Sequence, residues 1–293
     1  MPLPAFPYEL LPARAAVRAR LDRYGLRAKK AWGQNFLVDE HAHQAVVAAA
    51  ELHPADLVVE IGAGLGTLTE RLLRTGAQVV AVERERDMCT VLRAELGHEP
   101  RLRLCEQDAL QLDVARLAEE HGSPVVVVGN LPYCIASPLL FHLLAARDAI
   151  HHLVLMLQRE VADRLLARPG DNAFSALSAQ VQILCEVRRV CQVGAGSFVP
   201  VPRVDSTLVR LDPLPSPRVP VKDLRRYAEV VRAAFGQRRK TLRNALGAVF
   251  GPAAAAALDR AGIDPSRRGE TLTLEEFARL ADQLPPPAET GRA

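Results

Sequence analysis

The chain of 293 residues holds only five cysteines, Cys89, Cys105, Cys134, Cys185 and Cys191. They are odd in number and form no C-x-x-C pair, which argues against a disulfide framework and a structural zinc site and fits a reducing compartment. The first twenty residues carry Pro2, Pro4, Pro7 and Pro12 with three arginines and no apolar core, so no signal peptide is expected. Val125–Ala146 lacks Asp, Glu, Lys and Arg and is long enough to span a bilayer, yet Gly129, Asn130, Pro132, Ser137 and Pro138 interrupt it. That run reads better as a buried strand, a polar turn and a buried helix. A cytoplasmic protein with no membrane partner is expected. At 49% hydrophobic and 24% charged the chain is not a disordered one, and its length favours one large and one small domain.

The net charge of +3 says little, but its distribution says more. Residues 1–34 carry seven basic and two acidic side chains, a net +5. Residues 56–130 sum to −5 and residues 221–250 to +6. Two basic ends around an acidic middle are expected of a nucleic-acid-binding protein, since phosphate contacts supply much of the affinity. Only four of the 37 basic residues are lysines, so an arginine-rich composition is the plainer source of the same pattern.

Pro12 and Gly25 bracket a basic amphipathic helix over residues 13–24, and a second helical stretch covers 41–52. Strands are expected at 57–61, 79–83, 102–106, 125–128 and 153–157, with helices at 67–75, 86–96 and 138–146 between them. That alternation predicts βαβ units and an α/β fold with a parallel sheet covered by helices. Apolar runs at 181–187 and 207–211 extend the sheet. Pro213, Pro215, Pro217 and Pro220 form a stiff linker, after which the pattern is helical through Leu284, with starts at Asp223, Pro252 and Thr273. The expected domains are 1–212, an α/β domain with a basic N-terminal segment, then 221–284, a helical domain. Residues 285–293 read as a disordered tail.

The run Glu60-Ile61-Gly62-Ala63-Gly64-Leu65-Gly66 lies between a strand and a helix, where glycines let a backbone approach a ligand. A dinucleotide site needs a third glycine at position 67, and this chain has Thr67. G-x-G-x-G after an acid suits an adenosyl ligand without a pyrophosphate. Glu60 is placed to serve an ammonium group. Glu83 ends the next strand, where a carboxylate holds ribose hydroxyls, and Asp108 follows the third, placed to accept from an adenine amino group. Turn and acids together point to S-adenosylmethionine. The plainer reading makes Glu83 and Asp108 strand-end caps.

Val125–Gly129 runs into Asn130-Leu131-Pro132-Tyr133, outside the carboxyl end of a parallel strand, where ligands of open α/β sheets lie. This arrangement suits methylation of an exocyclic amine. The lone pair of adenine N6 is delocalised into the ring, and two acceptors, the Asn130 side-chain oxygen and the Leu131 carbonyl, favour a pyramidal nitrogen. Pro132 keeps the turn rigid and Tyr133 stacks on the base. Cys134 has no activator and reads as packing.

These residues resemble the ribosomal RNA adenine N6-dimethyltransferase family, and within it the bacterial small-subunit branch. The likeness runs from about Leu26 to Leu284. It rests on 30–39 (Lys-Ala-Trp-Gly-Gln-Asn-Phe-Leu-Val-Asp), the glycine turn, Gln107-Asp108-Ala109, Asn130–Tyr133 and Leu157–Val161. Phe198–Ser206 and Ala234–Leu246, with Gln237-Arg238-Arg239-Lys240, complete it. The resemblance implies a Rossmann-like class I S-adenosylmethionine-dependent methyltransferase, with a seven-stranded, mostly parallel sheet whose last strand is antiparallel, and a small C-terminal all-α domain. It implies cofactor contacts at Asn35, Leu37, Gly62, Gly64, Glu83, Asp108 and Asn130. Catalytic roles fall on Asn130, Leu131, Pro132, Tyr133 and Phe198, the last facing the target base opposite Tyr133. On the residues alone, Phe198 is as readily a core phenylalanine. RNA contacts are expected at Arg238, Arg239, Lys240 and Arg243. The implied activity is dimethylation of N6 on two adjacent adenosines in the 3′-terminal hairpin of small-subunit (16S) ribosomal RNA, late in assembly, on an immature 30S particle. The product is S-adenosylhomocysteine, no metal is used, and a monomer is expected. The alternatives are an adenosine of 23S ribosomal RNA, or a non-catalytic assembly factor on the same fold. Asn130 and Glu83 count against the second.

Overall fold

A strand buried on both faces cannot alternate in polarity, and the valine runs of this sequence form the middle of a parallel sheet for that reason. The computed structural model describes residues 13–28, 34–131, 135–237 and 239–284. Expectations on the proline-rich start, Gly33, Pro132, Tyr133, Cys134, Arg238 and the tail from 285 fall outside the described residues.

In chain order the elements are α1 (Ala13–Arg23), β1 (Phe36–Leu37), α2 (Glu40–Ala50), β2 (Leu57–Ile61), α3 (Thr67–Arg74), β3 (Gln78–Glu83), α4 (Arg86–Leu96) and β4 (Leu102–Glu106). There follow α5 (Val114–His121), β5 (Val125–Asn130), α6 (Ala136–Ala145), β6 (Ile150–Gln158), α7 (Arg159–Leu166), α8 (Ala176–Gln182), β7 (Cys185–Val193), β8 (Phe198–Val199) and β9 (Ser206–Pro213). The last helices are α9 (Leu224–Phe235), α10 (Leu242–Phe250), α11 (Ala253–Arg260) and α12 (Leu274–Gln283). The seven-stranded sheet has the order β4-β3-β2-β5-β6-β9-β7. Its β4, β3, β2, β5 and β6 are parallel, and β9 runs antiparallel to β6 with Leu155 opposite Val209. This is the mostly parallel α/β sheet expected. All of β2 is buried, as is β5 up to Gly129. The outer strand β7 exposes Glu186, Arg189 and Val190, and charge on an edge discourages pairing with another chain. The charge-free stretch from Val125 is strand β5 and helix α6, as expected, and among the described residues no helix is long and apolar enough to cross a membrane.

One strand differs. Of the apolar run at 181–187, read as a strand, the first part closes helix α8 and β7 begins only at Cys185. Ser175 and Ser178 form a capping box that starts α8, and Leu177 and Val181, four apart, are buried on one side of it.

The chain divides into two units. The first takes the described residues up to Ala162 together with Val187–Pro213; the second takes Asp163–Glu186 and everything from Leu214. This differs from boundaries at 212 and 221, because α8 and the turn before it belong to the helical core. There Ala179 and Ile183 pack with Tyr227, Val230, Leu246, Leu272 and Phe277. Tyr227 donates its hydroxyl to the Ala179 carbonyl at 3.2 Å. The proline-rich stretch is tied to the end of α8, Leu214 N–H donating to Leu184 O and Arg218 N–H to Ile183 O, each at 2.8 Å. Asp223 and Thr273 cap α9 and α12 where the sequence places them.

Candidate active site

The carboxyl ends of β2, β3, β4 and β5 open into a cavity of about 290 Å³, close to the lower end of the size expected of a small-molecule site. The glycine turn forms its floor. Gly64 has φ +56°, and a Cβ there would sit 3.2 Å from the Phe36 ring. Gly66 caps α3 at φ +80°, and a Cβ would come within 2.9 Å of both Leu92 and Leu96. A side chain at either position would strain the backbone and crowd the packing that shapes the cradle.

Glu83 and Asp108 line the cavity and are also caps, so the two readings of these acids coincide. Glu83 Oε2 accepts from Gly64 N–H, and its Oε1 from the Arg84 and Glu85 N–H groups, all at 2.9 Å. Asp108 Oδ1 accepts from Leu110 N–H at 3.0 Å and Oδ2 from Arg84 Nη1 at 3.2 Å. Both carboxylates are thus held in place before any ligand arrives.

Glu60 is only 2% exposed and accepts a 2.5 Å hydrogen bond from Thr69 Oγ1. Burial, reinforced by the nearby Glu83 charge, pushes its pKa up to about 8. Without a ligand, burial thus favours the protonated form of Glu60, whereas an ammonium group placed beside it would favour the anion. In an unfolded chain the same group titrates near 4.5. Its favourable contribution is complete below that value and is lost as pH rises through the folded value. Glu60→Gln is expected to flatten the decline of Tm between about pH 5 and 8. A profile parallel to that of the parent protein would exclude a protonated Glu60.

At the β5 end, Asn130 Nδ2 donates to the Asn35 carbonyl at 3.0 Å, which fixes the amide, and Oδ1 has no partner among the described residues. Leu131 N–H donates to Met156 O at 3.2 Å, anchoring the turn to β6. Asn35 and Leu37 are brought beside Asn130 because β1 pairs antiparallel with β8, Leu37 opposite Phe198. Asp39 secures this segment: one oxygen accepts from Ser197 Oγ at 2.8 Å, the other from Ala42 N–H at the start of α2. The Ser197 bond is the main reason its carboxyl titrates below the usual range.

Phe198, expected to face a target base, is buried in the ligand-free chain. The ring is 1% exposed and sits in a cluster with Leu37, Ala42, Val193 and Leu208. Its apolar neighbours bury the ring, while the following loop exposes Val201, Arg203, Val204 and Asp205.

The basic start is also partly structural. Arg20 is 3% exposed, donating to Leu65 O at 2.8 Å and to Glu70 Oε1 at 2.7 Å. Arg14 donates to the Phe198 carbonyl, and Val17 and Leu21 pack with Phe36, Leu65 and Met88, so α1 braces the cavity wall. Arg239 and Lys240, on the turn from α9 into α10, and Arg243, at the start of α10, are exposed in the second unit. Gly62 lines the cavity. Sequence reasoning missed Gln34, which donates to Glu85, and Arg84 and His43, all three in the cavity wall.

The sequence matches the ribosomal RNA adenine dimethylase family over residues 25–285. The ribosomal RNA small subunit methyltransferase A of Anaeromyxobacter dehalogenans is 49% identical, over 90% of this chain and 95% of its own. A dimethyladenosine transferase from Plasmodium falciparum superposes with a TM-score of 0.71 at 28% identity, covering 84% of this chain and 95% of that one. The 23S rRNA methyltransferase ErmE superposes with a TM-score of 0.64 at 29% identity, covering 85% and 99%. A sheet of this order, a glycine cradle backed by two fixed carboxylates, and a family match spanning both units make the chain a class I methyltransferase belonging to the ribosomal RNA adenine dimethylase family.

Proposed function

We propose that the protein dimethylates N6 of two adjacent adenosines in the 3′-terminal hairpin of small-subunit ribosomal RNA, acting on an immature 30S particle in the cytoplasm as a monomer. The observation that carries the reading is the fixed Asn130 amide beside the cradle. Its nitrogen is committed to Asn35, so its oxygen is left to accept from an amine.

S-adenosylmethionine, when bound, supplies an activated methyl group. The residues fit it: Gly64 leaves room that a Cβ would fill, Glu83 is positioned for the ribose hydroxyls, and Asp108 for the adenine amino group. Gly62, Asn35 and Leu37 complete its contacts. The target amine is held by the Asn130 side-chain oxygen and the Leu131 carbonyl. A nitrogen so held keeps its lone pair out of the ring and aimed at the methyl group, and preorganised acceptors lose no energy to reorganisation. Pro132 and Tyr133 keep the roles of rigid turn and stacking platform. Phe198 keeps its proposed place facing the target base opposite Tyr133.

Unmethylated 30S subunits and labelled S-adenosylmethionine are expected to yield dimethyladenosine at two adjacent positions, mapped by mass spectrometry. Label confined to 23S RNA offered in parallel, or no label in RNA, would sink the reading. Arg239, Lys240 and Arg243, with Arg238, are the proposed RNA-binding residues. Charge reversal at Arg239 and Arg243 is expected to weaken subunit binding and to flatten the slope of log K against log salt by about 0.7–0.9 for each phosphate no longer neutralised. An unaltered slope would place RNA binding elsewhere on the surface.

A further inference from the structure

His43, on the first turn of α2, is 1% exposed, and neither ring nitrogen has a hydrogen-bond partner among the described residues. Leaving such groups unpaired costs about 1–3 kcal/mol each, a cost that a ligand pairing one of them would relieve. The ring is part of the cavity wall.

We propose that the His43 imidazole binds the amino-acid end of the cofactor, donating a ring N–H to its carboxylate. The inference rests on the cofactor reading above. Glu83, Arg84 and Asp108 come from the ends of β3 and β4 and define the adenosine end of the cavity. His43, Glu60, Asn35 and Asn130 come from α2, β2, the segment before β1, and β5, so the rest of the ligand lies among them. A free amino acid there presents a carboxylate that needs donors. Among the described lining residues the only Lys or Arg is Arg84, at the opposite end. Burial lowers the His43 pKa to about 4, which keeps the ring neutral, with one N–H to give and one lone pair to receive. The contact is therefore a hydrogen bond to a charged group and not an ion pair.

Calorimetry on the full chain tests this with two ligands, S-adenosylhomocysteine and 5′-methylthioadenosine, which lacks the amino-acid end. His43→Leu is expected to weaken the first by about tenfold or more and to leave the second unchanged. His43→Gln, which keeps a donor, is expected to restore part of the affinity. In the ligand-free protein His43→Leu raises Tm, because two unpaired polar atoms leave the interior, and a residue with a purely structural task would not show this opposition. His43→Met is the second apolar variant should leucine prevent folding. Equal effects on both ligands, or none on either, overturn the assignment of His43. Failure of the parent protein to bind either ligand overturns the cofactor reading instead.

Discussion

Asn130→Ala is expected to lower methyl transfer by about 10²–10³-fold, as removal of one preorganised polar group does elsewhere, while S-adenosylhomocysteine still binds. The size follows from how the amide is held. A side chain free to rotate would spend part of its interaction with the amine on being ordered. Here the 3.0 Å bond from Nδ2 to the Asn35 carbonyl has already fixed the plane, and the Leu131–Met156 bond fixes the turn behind it. Alanine removes the acceptor and leaves the Asn35 carbonyl without that donor. Single-turnover transfer to unmethylated 30S subunits gives the rate, and a parallel titration gives ligand affinity. Unchanged turnover would end the amine-activation argument. A defect confined to ligand affinity would make Asn130 a cofactor-binding residue alone.

Arg20→Met is expected to destabilise the protein by about 3–5 kcal/mol, the range for removing one partner of a buried ion pair. The side chains of Arg20 and Glu70 are 4% and 10% exposed. Burial pushes the Glu70 pKa upward and Arg20 opposes it, so without the guanidinium Glu70 takes up a proton, and part of the penalty appears as proton uptake on folding. The Leu65 carbonyl, inside the glycine turn, is deprived of its donor at the same time. Adding Glu70→Gln is expected to recover much of the stability. Chemical denaturation of both variants decides this: Arg20→Met within about 1 kcal/mol of the parent would mean the pair contributes little.

Much of this molecule was legible in advance. The parallel sheet was visible because strands buried on both faces must be continuous apolar runs, and Leu57–Ile61 and Val125–Val128 are such runs. The cradle was visible because a missing glycine at Thr67 and acids at successive strand ends are local facts. What failed to show depended on partners distant in the chain. A seven-residue apolar run at 181–187 suits either a strand or part of a helix, and burial of Leu177 and Val181 made its first part helical. Counting charge treats every arginine alike, whereas Arg20 meets Glu70 fifty residues away and leaves the surface. His43 lay inside an alanine- and valine-rich helix, and no local pattern says that both its nitrogens lack partners among the described residues. Phe198 stood between core and platform, and no local pattern shows that its ring packs with Leu37, Ala42, Val193 and Leu208.

The helical unit draws on two separated stretches, with α8 contributed from before β7. Its core therefore stays incomplete while the ribosome makes β7, β8 and β9, and closes only when Phe277 and Leu280 on α12 have been added. A chain ending at Pro213 would not be a methyltransferase domain with a clean end. It would carry Ala179 and Ile183 bare, an apolar surface with nothing left to cover it. Removing the helical unit intact means excising two segments and rejoining Ala162 to Val187, so its deletion or exchange in a relative requires paired changes and not a single stop.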